Sequence, residues 1–297
     1  VAAGTYVENI DFRGRNIKVV GEDRETTIID GNNSGTVVSM SACSNETLLS
    51  GFTLKNGAGV NGGGLYLFNS EPVLINLLIT ENSASTNGGG IYFDYSNPSL
   101  ENVTISDNTA GSSGGGGIYS YSSGISLENV NISDNSTSGP GGGIYYNQSN
   151  SILTNVTISG NSATGENGFG GAIYHTTVSY STLLNCILWN NSPQEIYFSG
   201  EIEWNSGSTT AAYCDIQGGE DGIITNDNST VTWGEGNIDV DPLFNNSENG
   251  DYNLQEGSPC VDAGIADLDG DGIEDIVDYN GSAPDMGAIE YLGTISP

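Results

Sequence analysis

The chain has 297 residues with 44 glycines, only 14% charged residues and a formal net charge of −32. A surface this acidic repels nucleic acid and anionic membranes and attracts cations. No run of eighteen apolar residues exists, which excludes a membrane-spanning helix. The opening residues Val1 to Val7 carry no leader and start in mid-pattern, so a processed or truncated form is expected.

Residues 1–55 read as the first coils of a repeating structure. Short apolar pulses (Ile10/Phe12, Ile17/Val19, Val37/Val38, Phe52/Leu54) are separated by glycines at 14, 21, 31, 35 and 51. All five basic residues, Arg13, Arg15, Lys18, Arg24 and Lys55, lie here, and thirty acidic side chains follow without one Lys or Arg. From 56 to 192 the repeat is regular. A glycine tract ending in tyrosine places Tyr66, Tyr92, Tyr119, Tyr145 and Tyr174 at spacings of 26, 27, 26 and 29. Between these lies Asn-Val-Thr-Ile-Ser at 102–106, with related tracts from Asn76, Asn129, Asn155 and Asn185. Six residues after each leading asparagine stands another: Asn82, Asn108, Asn135, Asn161 and Asn191.

Self-similarity at this period means a solenoid, a propeller or an array. Val103 and Ile105 alternate with polar Thr104, the period of a strand with one buried face. A repeat of this length is too short for a propeller blade, and the leucines of a leucine-rich repeat are absent. Each repeat is therefore a coil stacked on the next at about 4.8 Å. The predicted fold is all-β, a right-handed parallel β-helix over 1–240, with irregular last coils at 193–240. A non-repeating cap over 241–297 is expected to cover its end.

The repeats resemble those of secreted β-helix proteins and of chlamydial polymorphic outer-membrane proteins. The latter carry Gly-Gly-Ala-Ile and Phe-x-x-Asn; here Gly171-Ala172-Ile173 and Ile105 to Asn108 stand in those places. The tail, from Asp251-Tyr252-Asn253-Leu254 to Ala283–Tyr291, is similar to that of bacterial and archaeal surface β-helix proteins. The resemblance implies a secreted, cell-surface location.

The sharpest motif is the run from Asp267 to Asp278. Asp267, Asp269 and Asp271, the carbonyl of Ile273, Asp275 and Asp278 match the ligand offsets of a twelve-residue Ca²⁺ loop, with Gly272 at its turn. Asp278 replaces the usual glutamate, as in the dockerin-type loops it resembles. A Ca²⁺ clip is expected here, against the plainer reading of an acidic turn.

The asparagine series is expected to form a stacked amide ladder. Eleven Asn-x-Ser/Thr sequons occur; Asn32, Asn45, Asn135, Asn147 and Asn280 are the glycosylation candidates. The tyrosines should stack in one column, either as internal support or as a docking stripe for glycans or another subunit. His175 reads as a strand residue. Cys186 and Cys214 share one slot on neighbouring coils, as buried thiols or a bridge.

Two function classes follow. The first is a non-catalytic extracellular surface protein, an adhesin or a coat or filament subunit that associates head to tail or binds surface glycans, with no nucleic-acid partner. The second is a polysaccharide lyase or hydrolase. The body offers no Arg or Lys for lyase chemistry, and Asp107 and Asp134 fill one repeat slot rather than forming a dedicated pair. The first reading is therefore expected.

Overall fold

The computed structural model describes residues 1–200 and 206–293. The chain winds as a parallel β-solenoid with two long sheets and a shorter, five-stranded sheet confined to residues 58–163. One coil shows the plan. Gly124–Ser133 lies in the longest sheet, Ser136–Thr137 in a short sheet, and Ile144–Asn147 in the third. The next coil repeats this with Asn150–Ser159, Ser162–Ala163 and Ile173–Thr176, paired in register.

The long sheet is bent into two panels by one residue per coil. Asn76, Asn102, Asn129, Asn155 and Asn185 sit there with φ between 52 and 54°. Asparagine tolerates this left-handed conformation better than most residues, which explains why each Val-Thr-Ile tract opens with it.

Registered pairing stacks like on like. Leu54, Ile79, Ile105, Ile132, Ile158 and Leu188 form one interior column, each 0% exposed. Leu74, Leu100, Leu127, Leu153 and Leu183 form a second beneath the other panel. Burial of a branched side chain contributes about 1.5–3 kcal/mol, so the narrow core gains stability coil by coil.

The glycine tract turns the chain between the short and third sheets. Gly88 adopts φ 63°, and a Cβ on Gly89 would overlap the carbonyl of Gly116 in the next coil. Only glycine allows coils to stack so closely there.

Two polar ladders hold the corners. Asn82, Asn108, Asn135 and Asn161 are almost fully buried, and each side-chain NH₂ donates to the amide oxygen of the next asparagine at 2.9–3.0 Å. Each also donates to a backbone carbonyl freed at the turn, as Asn135 does to Ile105 at 2.8 Å. Opposite runs a serine ladder that the sequence reading missed. The backbone N–H groups of Ser70, Ser96, Ser123 and Ser149 each donate to the hydroxyl of the serine one coil on, at 2.9–3.3 Å. A lone serine per repeat does not stand out in a chain rich in Ser and Thr. Its burial is its only signal.

The segment after 241, expected as a cap, meets the last coils at Tyr213, Asp215 and Ile238. It runs back along the side of the coils. The Tyr252 hydroxyl donates to Asp134 at 2.8 Å, Ala288 N to Thr157 Oγ1 at 2.9 Å, and Ile265 N to Asn185 Oδ1 at 2.8 Å. Leu254, Cys260 and Met286 pack on Ile187 in a small satellite core. The outward side of the second panel is apolar at Ile187, and the segment removes that patch from water.

Candidate functional site

The outer face of the long sheet carries a long depression. Along its first panel, successive coils present Ser99 and Ser126, then Glu101 and Glu128, in register. Asn97 and Asn150 form one rim, and Asn97 is fixed by accepting from Gly124 N at 2.7 Å. This part of the groove encloses about 600 Å³. Beyond the asparagine bend, the returning C-terminal segment forms the opposite wall. Asp275, Asp278 and Glu290 there face Glu101, Glu128, Asn129 and Asn155 across about 540 Å³. The floor thus mixes the hydroxyls and carboxylates of two adjacent coils with apolar Val73, Pro98 and Ile152, on coils spaced about 4.8 Å apart.

Such a lining hydrogen-bonds polyhydroxylated chains. Its carboxylates accept from sugar hydroxyls, and its amides do both. Glu101 and Glu128 are exposed and paired in register on adjacent coils, and glycoside hydrolysis uses two carboxylates ~5–9 Å apart. Asp107 and Asp134 do not serve as such a pair. Asp134 is exposed but accepts from the Tyr252 hydroxyl, and desolvation there raises its carboxyl above the ordinary range.

The acidic loop adjoins this groove. Asp267, Asp269 and Asp275 bring one carboxylate oxygen each within 4.8 Å of one another. The loop is drawn around Asp267, which accepts from Gly270 N and Gly272 N at 2.8 Å each, while Leu268 N donates to Asp275 at 2.8 Å. Asp271 accepts from Ile273 N at 2.8 Å, and Asp271 and Asp278 lie outside the three-carboxylate cluster. Three converging hard oxygens with no basic residue in the loop suit Ca²⁺. A full shell needs Asp271, Ile273 and Asp278 to draw in as well.

The tyrosine column exists. Tyr66, Tyr92, Tyr119 and Tyr145 stack at centroid distances of 5.6, 5.3 and 4.5 Å, and Tyr174 follows at 4.9 Å with Tyr197 beyond it at 5.8 Å. The rings spend their faces on one another, and Tyr119 and Tyr174 are only 9% and 6% exposed. The stacking supports the coils, and Tyr119, Tyr145, Tyr174 and Tyr197 together line a shallow pocket on the outside of the column.

Of the glycosylation candidates, Asn32, Asn45 and Asn280 are exposed and Asn147 is half-buried. Asn135 is corrected: it is 0% exposed and fully engaged in the amide ladder, so no glycan fits on it in the folded chain. His175 is a strand residue, stacked between Tyr146 and Phe198 in the interior, where burial lowers its pKa to about 3. Cys186 and Cys214 sit on adjacent coils as buried thiols, with Cys186 N donating to Cys214 Sγ at 3.3 Å.

Two residues escaped the sequence reading. Glu195, 4% exposed, ends the amide ladder, and burial pushes its carboxyl up to about 7. Arg24 leaves the N-terminal coils and reaches the carbonyl of Asn102 at 3.2 Å. A cation therefore stands beside the groove after all. A residue 78 positions away in sequence gives no local cue to that contact.

The sequence profile described as right handed beta helix region matches residues 4–162. The Chlamydia polymorphic membrane protein repeat matches residues 155–176. No curated protein matches. Among solved structures, that of pectate lyase Pel9A matches at 14% identity over 97% of this chain and 82% of its own, with a TM-score of 0.44. The expectation of a non-catalytic chain is corrected by this finding, because the matched protein is an enzyme. At that identity and TM-score the likeness assigns this chain no activity. Among the described residues no helix is long and apolar enough to cross a membrane. With its profile match spanning more than half the sequence and its coils stacked in parallel register, the chain belongs to the right-handed β-helix family.

Proposed function

We propose that the protein is an extracellular, cell-surface β-helix that binds polysaccharide along the outer groove of its bent sheet, with Ca²⁺ held in the acidic loop of the groove's C-terminal wall. The observation that carries this reading is the groove's lining. Two adjacent coils present Ser99 and Glu101, then Ser126 and Glu128, in register, with Asn97 and Asn150 on the rim. Val73 and Ile152 stand on the flanking coils, so an extended glycan along the solenoid axis would meet polar groups between apolar ones. The chlamydial-type repeat supports the surface location. Affinity electrophoresis against a panel of neutral and acidic polysaccharides tests it. Retardation by at least one neutral polymer, weakened tenfold in the Glu128→Ala, Asn150→Ala double variant, is the expected result. Equal migration in all gels would sink it.

A second reading, hydrolysis of the bound glycan, is favoured by one observation, the adjacent exposed Glu101 and Glu128. Reducing-sugar release that vanishes in Glu101→Gln and in Glu128→Gln, with binding retained, is its signature. The adhesin and head-to-tail subunit roles belong to the same proposal, since a glycan-binding surface protein can be either.

A further inference from the structure

Where Arg24 meets the asparagine bend, a pocket of about 300 Å³ opens on the second panel. Arg24, Asn76, Asn102, Thr104, Asn129 and Asn131 line it, and Ala288 and Ile289 of the returning segment close one side. No carboxylate lines this pocket, in a chain with 37 acidic residues. The guanidinium is placed deliberately. Thr53 Oγ1 donates to the Arg24 carbonyl at 2.7 Å, and Nη1 donates to the carbonyl of Asn102. Nε is held by Glu25 at 3.1 Å, but that glutamate is 65% exposed and such surface pairs are weak.

An unmet need points the other way in polarity. Asn131 is 8% exposed, and its side-chain oxygen has no hydrogen-bond partner among the described residues. A buried amide oxygen without a donor is unfavourable, and a ligand O–H would satisfy it. The pocket thus offers a planar cationic fork with amide donors, suited to a carboxylate, beside an acceptor suited to a hydroxyl. Its surroundings limit the ligand further. Glu101, Glu128 and Glu290 flank it in the adjoining groove, so a polymer with a carboxylate on every unit is repelled.

We propose that this pocket is a subsite for a single carboxylate-bearing sugar, such as a terminal or isolated uronic acid on an otherwise neutral glycan. The carboxylate pairs with the outer edge of Arg24, and a neighbouring hydroxyl donates to Asn131. The proposal rests on the glycan-binding reading of the groove and assigns it a specificity.

Saturation-transfer NMR and calorimetry on the full chain test this with glucuronic acid, glucose, lactate, a neutral disaccharide ending in glucuronic acid, and polygalacturonate. Glucuronic acid should bind at least tenfold more tightly than glucose, and the uronate-ended disaccharide more tightly still. Polygalacturonate should bind more weakly per unit than the free acid. Arg24→Gln should lower glucuronic acid affinity at least tenfold, and Arg24→Lys, which keeps the charge but loses the fork, several-fold. Melting temperatures of both variants check that the coils are intact. Unchanged affinity in a folded Arg24→Gln, or glucose bound as well as glucuronic acid, would overturn the subsite. Lactate bound as well as glucuronic acid would also overturn it, by making this a site for any small hydroxy acid. Neutral-polymer retardation, read on the same Arg24→Gln protein, separates the two ideas. If retardation persists while glucuronic acid fails to bind, the subsite falls and the groove stands.

Discussion

Asn191 donates both its backbone N–H and its side-chain NH₂ to the carboxylate of Glu195, at 3.1 and 2.7 Å. On every earlier coil those two donors meet the amide oxygen of the next asparagine, so Glu195 stands in for the missing rung. The asparagine repeat runs out after Asn191, and a carboxylate accepts both bonds where an alanine or a serine could not.

That substitution makes stability depend on pH. Burial raises the Glu195 carboxyl to about 7 from an ordinary 4.5, although its two bonds from Asn191 pull the other way. The folded state then holds a proton that the unfolded chain has already lost between these values, so stability falls as pH rises from about 4.5 to 7 and levels off above. Glu195→Gln cannot titrate. Relative to the unmodified protein it should gain on the order of 2–3 kcal/mol between pH 4.5 and 8, read from urea unfolding at several pH values. Parallel pH profiles for the two proteins would show that the rung is not the titrating group.

The interior column gives a sharper test of the coil register. Ile132 lies between Ile105 and Ile158 with no exposed surface. Aspartate there would bury an unpaired charge, and a cost of several kcal/mol exceeds what neighbouring coils contribute to one rung. Ile132→Asp should be insoluble or melt at least 10 °C lower, whereas Ile152→Asp, on the exposed face of the same sheet, should melt within about 2 °C of the parent. Equal melting temperatures would refute the register.

That column was legible in the sequence because side-chain alternation and a fixed period encode it together. So was the asparagine ladder, since identical amides six residues past each bend have few other uses. The C-terminal segment was not. Its partners, Asp134, Thr157 and Asn185, lie 80 to 131 residues away and carry the same letters as their unpartnered equivalents on other coils. Arg24 was missed likewise: periodicity assigns each residue to a coil, but a long side chain that crosses coils breaks that rule.

Glycosylation should follow burial rather than sequon. In a glycosylating host, mass spectrometry of tryptic and chymotryptic peptides should find glycan at Asn32, Asn45 or Asn280 and none at Asn135. Asn135→Ala, which removes the rung's bonds to Ile105 and Asn161 and strands both N–H donors of Asn108, should cost about 2–4 kcal/mol. An occupied Asn135 in folded protein would contradict the ladder.

Metal removal should act on the groove wall before the coils. If Ca²⁺ occupies the loop of Asp267, Asp269 and Asp275, chelation removes a ligand bound only by the folded segment and lowers its stability by mass action, about 2.7 kcal/mol from a starting concentration of one hundred times Kd. Limited proteolysis should then cleave within 241–293 while residues 1–200 persist, and Asp267→Asn should reproduce this in the presence of calcium. A cleavage pattern indifferent to both chelator and substitution would leave an acidic turn that holds no metal.

The last prediction concerns the ends of the solenoid. At one end, strands Gly4–Val7, Ile10–Asp11 and Lys18–Val20 each pair on one side only, beside exposed Arg13, Arg15 and Lys18. At the other, Ile223–Ile224 and Thr230–Trp233 also pair on one side only, beside exposed Glu220, Asp221, Asp227 and Glu235. Because the C-terminal segment lies along the side, it leaves that second edge uncovered among the described residues. Unpaired strand edges seek partners. The second edge is acidic, while the first carries Arg13, Arg15 and Lys18 among exposed Glu8, Asp11 and Glu22. The basic residues that could meet the acidic edge thus stand at the opposite end, which favours head-to-tail contact. Such heterologous contact propagates into open filaments unless rotation closes a ring. Screening separates this from hydrophobic association. Sedimentation at 20 mM salt should show multimers that dissociate by 500 mM, where the screening length drops to a few ångströms. Replacing Arg13, Arg15 and Lys18 together by glutamate should abolish the multimers at every salt concentration, and the same protein should still enter the groove-binding assays as a folded monomer. Sedimentation as a monomer at 20 mM salt by the unsubstituted chain would dispose of the head-to-tail contact.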